Sequence, residues 1–311
     1  MALRFGVLGT GYWAREAHGA ALAAHADAEL VGVWGRDPAK TEAAAGRLGV
    51  AAHTDLDRLL DQVEAVAIAV PPDVQAELAV RAAAAGRHLL LDKPLALSLD
   101  AAERVVEAVA AARVASLMFF TLRFLPEPAA WVAETAATGG WHGGAGAWLG
   151  TVFSEPDSPF ADSPWRRRKG ALWDLGPHLL SLAMPVLGPV RQVTGATGLG
   201  DTVHLILGHD GGAASTLALS QTVPPPAAAV GFEVYGPAGR SAIPPFHLVH
   251  LVALAEAIGQ LTATVAAGGT AHPCDVRLGR DTVAVLDAAE RFLAAGPEAT
   301  AAPVAPARPG A

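Results

Sequence analysis

Through the first 120 residues, short apolar runs alternate with helix-length amphipathic stretches. That alternation is the pattern of βαβ units around a parallel sheet. Residues 4–8, 29–34, 65–70, 88–91 and 114–119 have the length and apolar content of strands. The Ala- and Leu-rich stretches 73–85 and 98–112 favour helix, and Ser98, followed by Asp100 and Ala101, suits a helix start. Pro71-Pro72 and Lys93-Pro94 each close a run, because proline cannot continue a central ladder. The carboxyl ends of strands in an open α/β sheet are where ligands bind.

Beyond Pro126 the texture changes. Runs at 145–153, 190–196, 202–208, 213–221 and 231–235 succeed one another across Gly- or Pro-containing turns, with little helix between them. Helical stretches at 245–267 and 278–295 follow, and from Pro297 the chain is mostly Ala and Pro, too poor in large apolar side chains to order itself. The predicted class is α/β: a doubly wound parallel-sheet domain over 1–121, an α/β domain with an open, mostly antiparallel sheet over 122–296, and a tail over 297–311. In the run 145–153, Ala145, Ala147, Leu149, Thr151 and Phe153 alternate with Gly146, Trp148, Gly150 and Val152, so neither face is polar. One face can pack on the domain's own helices and the other calls for a partner, which predicts a homodimer or homotetramer built through this sheet.

Composition narrows the class of function. A chain of 311 residues exceeds what one core usually organises. It is 52% hydrophobic and 17% charged with mean hydropathy +0.34, yet its apolar runs are too short to span a bilayer. Met1-Ala2-Leu3-Arg4 leads straight into a strand-like run without the features of a secretory signal, so a cytoplasmic protein is expected. A net charge of −8 and a pI near 5.7 offer no positive field to nucleic acid or to a membrane, leaving small molecules as the expected partners. Cys274 is the only cysteine, which excludes an intrachain disulfide and suits a small buried hydrophobe. His247 and His250 are three apart on an expected helix with no third ligand evident; an exposed or interface pair is the expectation, and no metal.

The run from Arg4 through Gly9-Thr10-Gly11-Tyr12-Trp13-Ala14 is a strand, a G-x-G-x-x-A turn and a helix start. Gly9 permits the tight turn, Gly11 lets the backbone approach a pyrophosphate, and Ala14 allows close helix–strand packing. The helix N-terminus then offers free N–H groups to phosphate. This is the fingerprint of a Rossmann dinucleotide site. At the end of the second strand, an NAD-selective site would carry Asp or Glu to bind the ribose hydroxyl. Here the chain reads Gly35-Arg36-Asp37-Pro38. Asp37 suits a helix cap, and Arg36 supplies a permanent cation for a 2′-phosphate, which predicts NADP(H) over NAD(H).

Lys93 stands at the carboxyl end of a buried run, before a proline that suits a cis peptide. It is either a lysine reaching solvent or a functional cation. In Gly170-Ala171-Leu172-Trp173-Asp174-Leu175-Gly176-Pro177-His178, helix would put Asp174 and His178 at i and i+4, on one face and able to address one ligand atom. Trp141, Trp148, Trp165 and Trp173 lie close by in sequence; Trp165 is a candidate for stacking on a sugar ring, and core packing is the alternative for all four. The run Arg166-Arg167-Arg168-Lys169 is either a solvated turn or an attractor of a carboxylate or phosphate.

Together, Gly9-Thr10-Gly11, Val70-Pro71-Pro72, Asp92-Lys93-Pro94, Arg123-Phe124, the run Gly170 to His178 and Val276-Arg277-Leu278-Gly279-Arg280-Asp281 resemble the Gfo/Idh/MocA oxidoreductases, which include inositol dehydrogenases and glucose–fructose oxidoreductase. The resemblance implies a catalytic Lys, Asp and His at Lys93, Asp174 and His178, acting in hydride transfer between nicotinamide and a carbon bearing a hydroxyl, ketone or imine. The candidate cofactor site is Gly9, Thr10, Gly11, Tyr12, Trp13, Arg36, Val70, Pro71 and Lys93, and the candidate substrate contacts are Arg123, Trp165 and Arg166. An NAD-dependent glycosidase of the same fold and a non-catalytic dinucleotide-binding regulator are the alternatives. Three positions depart from the family pattern. Asp92 stands for the usual Glu, Gln75 where many members have histidine, and Ser181 where an acid is common.

Overall fold

A computed structural model describes residues 2–155, 158, 160, 162–296 and 300–308. The chain forms two compact units, one from Met1–Leu125 with Leu248–Arg280, the other from Pro126–His247 with Asp281–Pro309. The first unit therefore ends its opening stretch near the expected boundary, and it also takes back residues 248–280, which the sequence had assigned to the second domain.

Six strands build the sheet of the first unit: β1 (Leu3–Leu8), β2 (Ala28–Trp34), β3 (Ala51–His53), β4 (Ala65–Ile68), β5 (His88–Asp92) and β6 (Ser116–Phe119). All pair in parallel in the order β3-β2-β1-β4-β5-β6, the doubly wound dinucleotide-binding order. β4 and β6 are buried along their whole length, as parallel strands covered on both faces must be. Residues 14–19 form a π-helix that continues into α1 (Ala20–Ala24); α2 (Pro38–Leu48), α3 (Leu56–Leu60), α4 (Pro72–Ala84) and α5 (Leu99–Ala112) follow. Ser98 caps α5, its hydroxyl accepting the N–H of Ala101. In register, Leu8 lies level with Trp34 and Ile68, and Ile68 with Leu91. The residues after β1, β2, β4 and β5 thus share the carboxyl edge of one sheet.

The second unit begins with α6 (Pro126–Thr138), β7 (Gly143–Leu149) and the long α7 (Pro164–Leu187), then β8 (Val190–Thr197), β9 (Val203–His209), β10 (Ala214–Ser220), β11 (Ala229–Gly236) and β12 (Gly239–Ala242). Its sheet runs β12-β11-β7-β10-β9-β8 and is antiparallel except for the parallel pair β7 and β10. α7 covers one face. β7 stops at Leu149, four residues short of the expected run. The helix α8 (His250–Ala266) belongs to the first unit and starts later than expected, so His247 precedes it. α9 (Val276–Ala295) closes the helical part of the chain. Within the expected tail, Ala302–Pro303 form a short β13 against β8, giving an edge strand where none was expected; residues 297–299 and 309–311 lie outside the described residues.

Candidate active site

At the end of β1, Gly9 turns the chain at φ 136°, and a Cβ there would meet the carbonyl oxygen of Ala69 at 2.4 Å. Only glycine fits that turn. Around it lies a cavity of about 170 Å³ lined by Gly9, Thr10, Gly11, Trp34, Gly35, Arg36, Ala69, Val70, Pro71 and Val74. Nothing lies within 4 Å of the point where a Gly11 Cβ would sit, so main-chain atoms there are open to a ligand. Six of the expected cofactor residues line this cradle; Tyr12 and Trp13 begin the helix beyond it, and Lys93 ends β5. A cradle with a bare main-chain turn beside a helix start fits a dinucleotide phosphate. A Cβ on Gly35 would lie 2.5 Å from Thr10 Cγ2 and from Thr41 Oγ1, so a larger residue at that position would require Thr10 and Thr41 to shift. Asp37 caps α2, accepting the N–H of Lys40 at 3.1 Å, as its place before Pro38 implied.

Lys93 is half-buried, and its peptide bond to Pro94 is cis. Its N–H donates to Asp92 Oδ1 at 2.8 Å. The other Asp92 oxygen lies 3.6 Å from Nε2 of His18, a fully buried ring on the π-helix that meets Trp13 and Phe119 edge-on. His250 packs edge-on against Trp13 at 4.9 Å, and burial pushes its pKa down. Arg123 lies in a 3₁₀ turn, Thr121–Phe124, of the same unit.

In the second unit, Gly170 interrupts α7 at φ 62°, ψ −165°, and the helix restarts at Ala171. Asp174 and His178 follow one turn apart, each 5% exposed. Asp174 Oδ2 accepts from Arg166 Nε at 3.0 Å and from Gln221 Nε2. The Arg166 guanidinium lies 4.7 Å over the rings of both Phe160 and Trp165. The His178 ring stacks on Trp148 at 4.6 Å. The four basic residues thus divide: Arg166 pairs with Asp174, Lys169 bonds Glu290 and lies over Trp173, and Arg167 and Arg168 are exposed. A paired carboxylate beside an imidazole can orient a hydroxyl and exchange its proton.

Two residues absent from the sequence expectations organise this arrangement. Gln221, fully buried, donates to Asp174. Asp201 accepts at Oδ1 from Ser220 Oγ (3.0 Å), Gln221 N (2.8 Å) and Thr222 Oγ1 (2.9 Å), and at Oδ2 from Ala171 N (3.2 Å). Their partners lie 19 to 47 residues away along the chain, and no local motif encodes such contacts. Among the described residues, no group of three or more His, Cys, Asp or Glu is arranged to hold a metal, and no helix is long and apolar enough to cross a membrane.

A parallel sheet in this order with a glycine cradle at its switch point defines a Rossmann dinucleotide-binding protein. Residues 3–120 match the oxidoreductase family with NAD-binding Rossmann fold, GFO/IDH/MocA, and residues 144–241 match the GFO/IDH/MocA C-terminal domain. The chain belongs to this oxidoreductase family. It is 30% identical over 226 residues to a dTDP-3,4-didehydro-2,6-dideoxy-alpha-D-glucose 3-reductase of Saccharopolyspora spinosa, covering 69% of this chain and 67% of that protein. It is 30% identical over 190 residues to an inositol 2-dehydrogenase of Rhizobium meliloti (strain 1021), covering 60% of this chain and 56% of that one. The chain thus matches 56% and 37% of the length of the first two curated relatives. The fold is also that of GenD2 from gentamicin A biosynthesis, solved in complex with NAD: TM-score 0.84, 23% identity, covering 98% of this chain and 97% of that one.

Proposed function

We propose that this protein transfers a hydride between a nicotinamide cofactor and a C–OH, C=O or C=N carbon of a sugar-like, polyol or related small molecule, with Lys93, Asp174 and His178 as its catalytic residues. The observation that carries the reading is the buried Asp174 and His178 on one helix face of a chain whose other unit holds a dinucleotide cradle. A bound nicotinamide supplies the two-electron chemistry. His178 exchanges the proton of the substrate oxygen, a task suited to an imidazole near neutral pH. Lys93 hydrogen-bonds that oxygen and the cofactor ribose, and Asp174 accepts a substrate hydroxyl while Arg166 balances its charge. Arg123, Trp165 and Arg166 are the proposed substrate contacts, and Gly9, Thr10, Gly11, Tyr12, Trp13, Arg36, Val70 and Pro71 hold the cofactor with Lys93. The test is nicotinamide absorbance over a panel of inositols, free and phosphorylated sugars, ketones and imines. Lys93→Ala and His178→Ala should lose most turnover and keep cofactor binding. Near-wild-type rates in both, or cofactor binding without turnover across the panel, would sink the proposal.

NADP(H) is the proposed preference. Arg36 lines the cradle, Gly35 supplies no carboxylate of the kind that would select NAD, and Asp37 is engaged in its cap. A charge-assisted hydrogen bond contributes about 1.5–3 kcal/mol, and Arg36 is exposed, so about a tenfold preference is expected. Dissociation constants for both cofactors, in wild type and Arg36→Ala, decide it; an unchanged ratio refutes the role of Arg36. Assembly as a homodimer or homotetramer through the second-unit sheet is part of the same reading. On the face away from buried Trp148, Ala145 pairs with Thr216, Ala147 with Ala218, and Thr216 with Ile206; Ala145, Thr216 and Ile206 are exposed, and Ala147 and Ala218 half-buried. A cytoplasmic location, testable by cell fractionation, completes the proposal and accords with a lone, buried and unbridged Cys274.

A further inference from the structure

Gln75 stands on the first turn of α4 and is 1% exposed. Its Nε2 donates to the main-chain carbonyls of Asp92 (2.7 Å), Pro94 (3.0 Å) and Leu95 (3.2 Å), and its Oε1 accepts the N–H of Asp92 at 3.0 Å. These bonds bracket Lys93 on both sides. β5 ends at Asp92, so the carbonyls of Pro94 and Leu95 have left the ladder, and buried carbonyls need a partner. A primary amide offers two N–H donors and an acceptor, whereas a neutral imidazole offers one of each. The amide therefore brings this turn a second donor that an imidazole lacks, beside the acceptor that both provide.

We propose that Gln75 is a positioning residue for Lys93, its amide holding the Asp92–Leu95 turn in the one conformation that presents the lysine. The inference rests on the reading of Lys93 as catalytic. Misplacing a reacting group by about 1 Å costs up to about a hundredfold in rate, so Gln75→Glu, which keeps the shape and turns a donor into an acceptor facing three carbonyls, should lower kcat by about ten- to a hundredfold.

The test is a double-mutant cycle with Lys93→Ala, using the best substrate of the panel and single-turnover rates, with circular dichroism to establish folding. If Gln75 acts through Lys93, Gln75→Glu costs rate in the wild type and adds little in Lys93→Ala. Gln75→His, which retains one donor, is the second variant should Gln75→Glu fail to fold, and it should fall between the two. A second readout needs no substrate. The chain has three lysines, Lys40, Lys93 and Lys169, so acylation of Lys93 by an amine reagent can be normalised to exposed Lys40 and should rise severalfold once the turn is loosened. Additive losses in the cycle, wild-type kcat in both Gln75 variants, or an unchanged Lys93 labelling ratio overturn the proposal. Wild-type turnover in Lys93→Ala instead overturns the reading of Lys93, and the positioning role with it.

Discussion

Replacing Asp201 by alanine should loosen the second unit and slow the enzyme while leaving its cofactor affinity intact. The substitution removes acceptors from two main-chain N–H groups, those of Ala171 and Gln221, and from the hydroxyls of Ser220 and Thr222. Each bond to a charged acceptor contributes about 1.5–3 kcal/mol when well buried and nearer 1 kcal/mol where water can replace it. Asp201 is half-buried, so four bonds amount to about 3–4 kcal/mol in all. For a unit of this size, each kcal/mol shifts the melting midpoint by about 2–4 °C, giving a fall of about 6–16 °C. Five of the seven tryptophans, Trp131, Trp141, Trp148, Trp165 and Trp173, lie in the second unit, so fluorescence follows its unfolding. Asp201→Asn keeps one acceptor oxygen and should cost about half as much. The same change frees Gln221 and the helix start at Ala171, so kcat should fall with either variant, whereas titration with cofactor should give wild-type dissociation constants. A midpoint within about 2 °C of wild type for Asp201→Ala, or equal losses for the Ala and Asn variants, would refute the reasoning.

Gly9→Ala forces a Cβ against a main-chain oxygen at a backbone angle costing about 1–3 kcal/mol, so calorimetry should find both cofactors bound about tenfold more weakly or worse; wild-type affinity would mean the cradle is not the cofactor site. Ala147→Glu puts a charge between Ala218 and Gly231 on the exposed sheet face. Light scattering should then show a monomer, with a lower melting point because the stabilisation by association is lost, if a partner covers that face; a monomeric wild type would dispose of the interface. Burial lowers the pKa of His88, His209, His250 and His272, with His209 held between the Gly188 carbonyl (2.7 Å) and Ser215 Oγ (2.8 Å). Below about pH 6.5 the unfolded chain binds protons that the fold refuses, so stability falls with acidification through that range and is flat above it with respect to these groups. His209→Gln should shrink the difference in melting temperature between pH 7.5 and 5.5, and an unaltered difference would show that His209 does not contribute to it.

Local rules made the first unit legible. A central parallel strand is a continuous apolar run whatever packs on it, and the Gly9 turn is required by a steric conflict with Ala69 that only glycine avoids. Asp174 and His178 were legible as a pair because helical spacing alone puts them together. The overrun of β7 past Leu149 has a simple cause: Thr151 and Phe153 continue the alternation on paper, but the chain leaves the sheet in a turn, with Phe153 N–H bonding the Gln221 carbonyl. Amphipathicity announced α8 without naming the surface it covers, so its return to the first unit was hidden. Gln75 looked like a family departure, and only its distance to the turn around Lys93 gives it a role.

That return has a consequence for synthesis on the ribosome. All six strands of the parallel sheet have been synthesised once Phe119 is translated, yet α8, whose Ala253, Leu254, Ala257, Ile258 and Leu261 are at most 1% exposed and which packs near β5, β6 and the π-helix, comes only after residues 126–247 of the other unit. At about 5–20 residues per second the nascent sheet waits on the order of ten seconds with that apolar surface uncovered. For this chain, the unit that carries the dinucleotide cradle is begun before the other and completed only after most of the other has been made, and holdase chaperones have a long opportunity in that interval.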